Sequence, residues 1–229
     1  MQAPVIAIDG PVASGKSTVA QLLAKKLGYF YLDSGILYRA LTVKALRARI
    51  SARDPAKLAA LARELRVTIK PPSRPDGRQN DVRVDGRDIS LLLRSKDVEA
   101  NVSAVSAHHA VREALLPLQR GAVRLPGTVV AGRDIGTVIF PDADLKIYLD
   151  ADPEERARRR LRQQGTWSEA GLVDMLRLLQ ERDRIDSTRA VAPLVRAQDA
   201  LLIDTDDYTP AQIVEQIAEV FEARRCADA

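Results

Sequence analysis

The amino-acid sequence predicts an α/β fold, a parallel β-sheet with helices on both faces. Short apolar runs rich in β-branched residues alternate with longer segments that carry apolar residues at helical spacing. A glycine-rich loop joins the first apolar run to the first helical segment. Polar motifs follow several of the runs directly, and ligands of parallel sheets bind beyond the carboxyl ends of the strands.

The first strand is predicted over residues 4–9, and a helix with Val19 and Leu23 on its apolar face is predicted to run to Leu27. The segment between them fits the phosphate-binding pattern G-x-x-x-x-G-K-[ST] at every required position. It reads Gly10-Pro11-Val12-Ala13-Ser14-Gly15-Lys16-Ser17-Thr18. In such a loop the lysine reaches the β- and γ-phosphates and the serine hydroxyl binds Mg²⁺. The loop predicts a site for a nucleoside triphosphate.

A second strand is predicted over residues 29–32, and the sequence Asp33-Ser34-Gly35 opens the next helix. Arg39 lies one helical turn beyond Gly35 and is placed to bind phosphate oxygens with its guanidinium. The alternative is an ordinary helix start followed by a solvated arginine. Asp54-Pro55 predicts the N-cap and first position of a third helix.

Residues 66–90 differ in character from the rest of the chain. Apolar and polar residues alternate on both sides of a stretch dense in turn formers, residues 71–77. We expect a small, mostly antiparallel β insertion with one exposed face. A long disordered loop is the alternative, although loops beyond about 12–15 residues are uncommon without structure of their own.

The pattern returns to helix from about residue 96 to 124, and Pro117 should bend or break that helix. Strands are predicted at residues 128–131 and 145–149. Gly132-Arg133-Asp134 follows the first of them. Either Asp134 holds Mg²⁺ through water, or Arg133 binds a phosphate while Asp134 reads a base. A plain turn at the end of the strand is the third possibility.

Three further helices and one strand complete the predicted fold. Residues 154–162 form a helix dense in arginine, and Ser168 caps the next helix. Arg182, Asp186 and Arg189 fall on one face of that helix and suit a phosphate together with a ribose hydroxyl, unless they form a surface ion-pair ladder. A last strand at residues 201–203 precedes a helix that begins with a capping box at residues 209–212.

Composition limits the class of protein. The chain has 229 residues, of which 46% are hydrophobic and only 4% aromatic, so a single domain with an aliphatic core is expected. We find no signal peptide and no apolar segment long enough for a membrane span, and the single Cys226 cannot form an internal disulfide. These features predict a cytoplasmic protein. The net charge of +4 is too small to indicate nucleic-acid binding by itself.

Taken together, these segments resemble bacterial cytidylate kinases, a family of P-loop nucleoside monophosphate (NMP) kinases. The resemblance rests on the phosphate-binding loop, on Asp33-Ser34-Gly35-Ile36-Leu37-Tyr38-Arg39, and on the runs 132–141 and 182–193, and it covers nearly the whole chain. It implies an NMP-kinase-like core at about residues 1–65 and 91–229. It further implies an NMP-binding insertion at about 66–90 and an arginine-rich lid at about 152–168.

The resemblance also implies an activity, namely transfer of the γ-phosphate of MgATP to CMP and dCMP in pyrimidine metabolism by a monomer that binds no nucleic acid or membrane. The implied catalytic residues are Lys16, Arg133, Arg182 and Arg189. Mg²⁺ is assigned to Ser17 and, through water, to Asp33. The implied CMP ligands are Ser34, Arg39, Ser103, Arg112, Arg133, Asp134, Arg182, Asp186 and Arg189, with Ser106 as the rival of Ser103.

Two other classes share a phosphate-binding loop. A regulatory GTPase would carry an [NT]-K-x-D motif for guanine, which the sequence lacks. A nucleic-acid-binding ATPase would show turnover stimulated by DNA or RNA and a steep salt dependence. Among kinases, the nearest alternatives are acceptors other than CMP, such as UMP, AMP or a small acid.

Overall fold

The computed structural model describes residues 3–227 and divides into two compact units. The first unit comprises the chain up to Leu32 and from Val123 onward, and the second is Asp33–Ala122. The strands are β1 (Val5–Asp9), β2 (Phe30–Asp33), β3 (Val67–Lys70), β4 (Asp81–Val84), β5 (Arg87–Asp88), β6 (Thr128–Ala131), β7 (Leu145–Asp150) and β8 (Leu201–Asp204). The helices are α1 (Lys16–Leu27), α2 (Gly35–Arg47), α3 (Pro55–Arg63), α4 (Lys96–Ala107), α5 (His109–Arg120), α6 (Pro153–Gln164), α7 (Glu169–Thr188) and α8 (Pro210–Ala227).

The first unit is built on a five-stranded sheet with the order β2-β6-β1-β7-β8. β1 pairs in parallel with β6 and β7, and β7 pairs in parallel with β8. Every residue of β1 and β6 is buried, so both faces of the central strands are covered, as parallel sheets require. The predicted parallel α/β fold is confirmed.

The core of the first unit is aliphatic, as the composition predicted. Side chains of β1, β6 and β7 pack with α1 and α8, and Ile6, Leu23 and Ile217 are fully buried there. Aromatic residues also contribute, namely the buried Tyr31 and Phe221 and the partly buried Tyr29, whose ring meets Phe221 edge to face with the centroids 6.0 Å apart. The burial of these faces supplies the main driving force that holds α1, and with it the glycine-rich loop, against the sheet.

The second unit contains a three-stranded antiparallel sheet with the order β3-β4-β5. Ile69, Val82 and Val84 are buried on one face, whereas the residues between them along the strands are exposed or only partly buried. This is the half-exposed antiparallel sheet expected for residues 66–90. The turn-rich stretch is also ordered, because the buried Arg78 guanidinium binds three carboxylates there, those of Asp76, Asp81 and Asp88.

The helix predicted over residues 96–124 is in fact two helices, and the break lies at His108 rather than at Pro117. His108 has an extended backbone and makes a 2.8 Å hydrogen bond through Nε2 with the Ala52 carbonyl. Pro117 lies inside α5, and the helix continues to Arg120. The one acceptor that Pro117 leaves without an amide is the carbonyl of Glu113, on an exposed part of the helix where water can reach it.

The predicted helix caps are confirmed. Asp54 accepts a hydrogen bond from the Lys57 amide at 3.1 Å, and Ser168 accepts one from the Gly171 amide at 3.1 Å. Thr209 and Gln212 form the reciprocal bonds of a capping box. Among the described residues, no helix combines the length and the apolar character that crossing a membrane would need.

Candidate active site

The glycine-rich loop leaves the sheet at its topological switch point. β1 is the central strand: the next two strands of this sheet along the chain, β2 and β6, lie on one side of it, and the last two, β7 and β8, lie on the other. In open parallel sheets the crevice beside such strands is where ligands bind. The loop joins β1 to α1, as predicted, so the amides at the start of α1 point towards this crevice.

Two glycines are required by the backbone of the loop. A Cβ atom on Gly10 would lie 2.0 Å from the carbonyl oxygen of Leu149, at the end of the neighbouring strand β7. Gly15 has a φ of +89°, a left-handed conformation that residues with a side chain rarely adopt. The first glycine therefore permits the close approach to β7, and the second permits the turn into α1.

The Lys16 side chain lies over the loop that precedes it. Its ammonium group donates to the Pro11 carbonyl and, at 3.4 Å, to the Ser14 hydroxyl, and the residue is buried. A buried cation that is held by the loop itself is suited to receive phosphate oxygens at the same place. Ser17 follows in the first turn of α1.

The predicted motif after β6 lies directly beside this loop. The Gly132 amide donates to the Ile8 carbonyl at 2.9 Å, and Arg133 Nη1 donates to the Gly10 carbonyl at 3.3 Å. A π-helical turn, Ile135–Ile139, follows Asp134. Its first two amides, those of Ile135 and Gly136, donate to the carboxylate of Asp9 at 2.8 and 2.7 Å.

Arg133, Arg182 and Arg189 surround the carboxylate of Asp186. The shortest distances between their nitrogen atoms and the carboxylate oxygens are 2.9, 3.3 and 3.7 Å, in that order. Arg189 Nη2 also lies 3.6 Å from Asp134 Oδ1. The structure thus brings together the residues that the sequence assigned to the acceptor in this unit, and the cluster carries one more guanidinium than carboxylate.

The cluster controls the ionisation of its central carboxylate. Burial alone would raise the pKa of Asp186, but the charges of Arg133, Arg182 and Arg189 outweigh that effect and hold the pKa below its ordinary value. Asp9 behaves in the opposite way, because burial raises its pKa to about 6 although two amides bind its carboxylate. Asp186 is therefore a fixed anion at neutral pH.

Arg189 differs from its expected position on the face of a helix. α7 ends at Thr188, and Arg189 has an extended backbone. Its Nε donates to the carbonyl of Ala192, which has a positive φ of 52°, and the Leu194 amide donates back to the Asp186 carbonyl at 2.8 Å. The run after the helix therefore folds back and orients Arg189, which helical spacing could not have predicted.

The second unit carries the remaining predicted ligands. Arg39 donates to Glu99 Oε1 at 2.7 Å and to the Leu93 carbonyl at 3.0 Å, so its guanidinium is oriented by an acid that the sequence analysis did not identify. Ser34 is buried at the start of α2, and Asp33 Oδ1 accepts the Gly35 amide at 2.9 Å.

Arg112 and the two candidate serines lie near one another in the second unit. The Arg112 guanidinium lies 5.3 Å from the centroid of the Tyr38 ring, and its Nη1 donates to the Ser106 carbonyl at 3.2 Å. The Ser106 hydroxyl donates to the Ser103 carbonyl at 3.1 Å.

Arg156 is the one arginine of the α6 run that lies in the interior. Its Nε donates to the Ala151 carbonyl at 3.1 Å, and its Nη1 donates to the Val12 carbonyl at 3.1 Å and to Asp183 at 2.5 Å. The resemblance placed it in the arginine-rich lid, whereas in the structure it ties the phosphate-binding loop to α6, α7 and the end of β7. Its partners are distant in sequence, so no local pattern signalled them.

The donor atoms available for Mg²⁺ are hard oxygens, which fit that ion. Ser17 offers a hydroxyl, and Asp33 offers a carboxylate of which one oxygen accepts an amide. Both oxygens of Asp9 already accept backbone amides, so Asp9 is less suited to bind the ion directly than Asp33 is. Within residues 3–227 we find no group of three acidic, histidine or cysteine side chains that could hold a metal by itself.

Known proteins resemble this chain along nearly its whole length. The family model described as cytidylate kinase matches residues 6–223. A cytidylate kinase of Paraburkholderia phymatum is 46% identical over 97% of this chain and 94% of its own length. One of Desulfitobacterium hafniense is 43% identical over 94% of this chain and 91% of its own.

Among solved structures, one of an uncharacterized protein from Eubacterium ventriosum superposes with a TM-score of 0.52. The alignment covers 96% of this chain and 98% of that chain at 12% sequence identity. This likeness concerns the fold alone.

Proposed function

The chain belongs to the cytidylate kinase family of ATP-dependent nucleoside monophosphate kinases, and from this premise we propose that it transfers the γ-phosphate of MgATP to CMP and dCMP. The products are ADP and CDP or dCDP. The observation that carries the proposal is the arginine-rich cluster around Asp186, which lies in the same unit as the phosphate-binding loop and is linked to it by Arg133. An excess of guanidinium beside a triphosphate loop suits a second phosphate as acceptor.

On the donor side, the loop amides of residues 10–18 bind the phosphates of ATP, and Lys16 binds the β- and γ-phosphates. The support is the geometry of the loop, with Lys16 buried over it and α1 directed from its end. Ser17 and, through water, Asp33 are the residues we propose to hold Mg²⁺. Held there, the ion would supply positive charge that stabilises the negative charge developing on the phosphates.

On the acceptor side, Ser34, Arg39, Arg133 and Arg189 bind the phosphate of CMP, and Arg182 and Asp186 bind the ribose. The support is the orientation of these groups before any ligand binds. Arg39 is fixed by Glu99, and Arg189 is fixed by the chain that folds back after α7. Guanidiniums that are already oriented lose less rotamer entropy when they bind a phosphate.

The base is read by Asp134, Arg112 and Ser103. Cytosine offers the N4 amine as a donor and N3 and O2 as acceptors, which suit a carboxylate and a guanidinium respectively. Uracil presents O4 in place of N4, so a carboxylate would face an acceptor. An unmet buried charge is unfavourable enough to give discrimination between the two bases.

Catalysis consists of in-line positioning and charge stabilisation. The acceptor is already a phosphate, so no strong general base is needed. Lys16, Arg133, Arg182 and Arg189 stabilise the negative charge that the phosphoryl group shares between donor and acceptor oxygens. The insertion at about residues 66–90 and the lid at about 152–168 are proposed to close over the nucleotides and exclude water, which would otherwise accept the phosphoryl group.

We further propose that the protein works as a monomer in the cytoplasm without a nucleic-acid or membrane partner. The support is the role itself, since a kinase of free nucleotides needs no macromolecular surface. Size-exclusion chromatography with light scattering tests the monomer directly.

A coupled ADP-release assay across a panel of nucleoside monophosphates tests the proposed reaction. We expect the highest kcat/KM with CMP and dCMP and at least about tenfold lower values with UMP and AMP. Lys16→Ala should abolish transfer while the far-UV circular dichroism spectrum stays unchanged. Equal or better turnover of UMP or AMP, or near-normal turnover by the Lys16 variant, contradicts the proposal.

A further inference from the structure

Asp9 is the last residue of β1, directly before the phosphate-binding loop, and the reaction as proposed gives it no role. It is only 4% exposed. Its carboxylate accepts the amide of Ile135 through one oxygen at 2.8 Å and the amide of Gly136 through the other at 2.7 Å. The two amides are separated from it by more than 120 positions in the chain. Asp9 thus joins the end of β1, which leads into the phosphate-binding loop, to the turn that begins at Ile135.

The segment that Asp9 binds follows the acceptor motif immediately. Ile135 and Gly136 open the π-helical turn, and Arg133 and Asp134 directly precede it. A Cβ on Gly136 would lie 3.0 Å from Lys146 Cδ and 3.4 Å from Asp9 Oδ2, so this part of the turn is closely enclosed. A longer bond also joins the motif to the loop, from Arg133 Nη1 to the Gly10 carbonyl at 3.3 Å.

We propose that Asp9 is a positioning residue that sets the orientation of Arg133 and Asp134, and through them the binding and selection of the acceptor nucleotide. The inference rests on the proposed function, in which Arg133 binds the acceptor phosphate and Asp134 reads the base. Asp9 itself touches neither nucleotide. Its two hydrogen bonds fix the start of the turn that directly follows both residues.

The chemistry of the site requires a carboxylate. Two amide donors approach one side chain, and only a carboxylate presents two acceptor oxygens to them. Asparagine would turn an N–H group towards one of the amides. Serine would supply a single oxygen on a shorter side chain.

The buried anion is retained although burial disfavours it. Burial and, to a smaller extent, the charge of Asp134 raise the pKa of Asp9, the two amides and Lys16 lower it, and the net result is a pKa of about 6. The other groups that face Asp9 are Tyr148, its register partner on β7, and Lys146, beside Gly136. Because the buried Asp9 carboxylate reduces the stability of the fold and yet binds the turn after Arg133 and Asp134, we expect it to serve function rather than folding.

A purely structural role is the competing explanation, and the chain offers a matched control for it. At the opposite end of β1, Asp144 Oδ2 accepts the amide of Val5 at 2.7 Å. Asp144→Asn therefore weakens the same kind of carboxylate-to-amide bond on the same strand, away from the acceptor motif. If both carboxylates only stabilise the fold, the two substitutions should have similar effects on the kinetics and on thermal unfolding.

The experiment compares steady-state kinetics of the full-length wild type, Asp9→Asn and Asp144→Asn with ATP, CMP and UMP, alongside thermal unfolding. For Asp9→Asn we expect KM for CMP to rise at least about tenfold and the CMP-over-UMP ratio of kcat/KM to fall at least about tenfold, with KM for ATP within about threefold. Asp144→Asn should leave all three parameters within about twofold.

Unchanged CMP kinetics in Asp9→Asn, or equal rises of KM for CMP and ATP, would overturn the inference. If Asp9→Asn does not fold, Asp9→Glu takes its place under the same criteria, since it keeps the charge and both acceptor atoms but displaces them by one methylene. If the wild type prefers another acceptor over CMP, the proposed substrate is wrong, and the selectivity among acceptors in the Asp9 variant still tests the positioning role.

Discussion

Two ion clusters in this protein have opposite arrangements of charge. In the second unit, the Arg78 guanidinium lies 2.7 to 3.1 Å from carboxylate oxygens of Asp76, Asp81 and Asp88. In the first unit, the Asp186 carboxylate is surrounded by three guanidiniums at 2.9 to 3.7 Å. The central side chains are equally buried, at 4% and 5% exposure.

The difference lies in which charge is in excess and in how tightly the groups are bound. Around Arg78 every carboxylate contact is short, and three carboxylates surround one guanidinium, so the surplus charge within this cluster is negative. Around Asp186 the bonds lengthen to 3.7 Å and the surplus is positive. A buried ion pair alone therefore indicates nothing about function, whereas a surplus of guanidinium linked to a phosphate-binding loop is expected at a site for an anion.

The first prediction removes one guanidinium from the Asp186 cluster. Arg133→Ala should lower kcat/KM for CMP about 10³-fold, because an arginine that stabilises a transferring phosphoryl group contributes at least that much. Arg133→Lys should recover only a small part, since an ammonium cannot form the bidentate contact. Steady-state kinetics measures both, with circular dichroism as the control for folding. A loss smaller than about tenfold in Arg133→Ala would mean that the surplus charge has no catalytic role.

The second prediction uses pH to contrast Asp186 with Asp9, a buried carboxylate bound by amides instead of guanidiniums. The pKa of Asp9 is raised from 3.8 to about 6, so the folded wild type binds that proton more tightly than the unfolded chain does. Between about pH 4 and pH 6, the wild type should therefore lose up to about 3 kcal/mol of unfolding free energy relative to Asp9→Asn as the pH rises.

Asp186→Asn should show the opposite sign. The pKa of Asp186 is lowered, so its stabilising contribution is present above its ordinary pKa and is lost as the pH falls below that value. Urea denaturation of the three proteins across the pH range measures both effects. Parallel pH profiles for Asp9→Asn and the wild type would contradict the assigned difference.

The third prediction removes the centre of the other cluster. Arg78→Ala leaves three carboxylates facing one another and removes the donor that orders the turn before β4. Amide hydrogen exchange across residues 73–90 should accelerate at least about tenfold, because local opening then breaks fewer charged hydrogen bonds. Exchange in β1 and β6 should not change. An effect of Arg78→Ala on kcat as large as that of Arg133→Ala would erase the distinction between the clusters.

The fourth prediction concerns an ion pair that belongs to neither cluster. Arg158 and Glu154 pair on the surface of α6, where their side chains are 40% and 48% exposed. Arg158→Gln should lower the free energy of unfolding by only about 0.3–0.5 kcal/mol, which is typical of exposed pairs one helical turn apart. Urea denaturation measures it, and a loss above about 2 kcal/mol would show that the α6 pairs act as a connected network.

Sequence patterns correctly predicted those features that depend on residues close together in the chain. The loop pattern at residues 10–18, the cap at Asp54 and the capping box at Thr209 were all recovered, because each depends on residues a few positions apart. The break at His108 was missed because its cause is a hydrogen bond to Ala52, 56 positions away. A proline was the stronger local signal, and the packing around α5 overrode it.

The site was predicted less completely than the fold for the same reason. The motifs named Arg39, Arg133 and Arg189, but not the groups that orient them. Glu99 lies 60 positions from Arg39, and Asp9 lies 127 positions from the Gly136 amide that it binds. A motif identifies the residues that face a ligand, whereas the side chains that orient those residues become visible only when the chain is folded.

Calorimetric titration with CMP and with cytidine tests most directly whether the Asp186 cluster binds the acceptor phosphate. The account predicts that the wild type binds CMP at least about 100-fold more tightly than cytidine, and that this preference weakens with added salt. In Arg133→Ala most of the preference should disappear, while the affinity for cytidine stays within about threefold. Equal affinities of the wild type for CMP and cytidine, or an undiminished preference in Arg133→Ala, would contradict it.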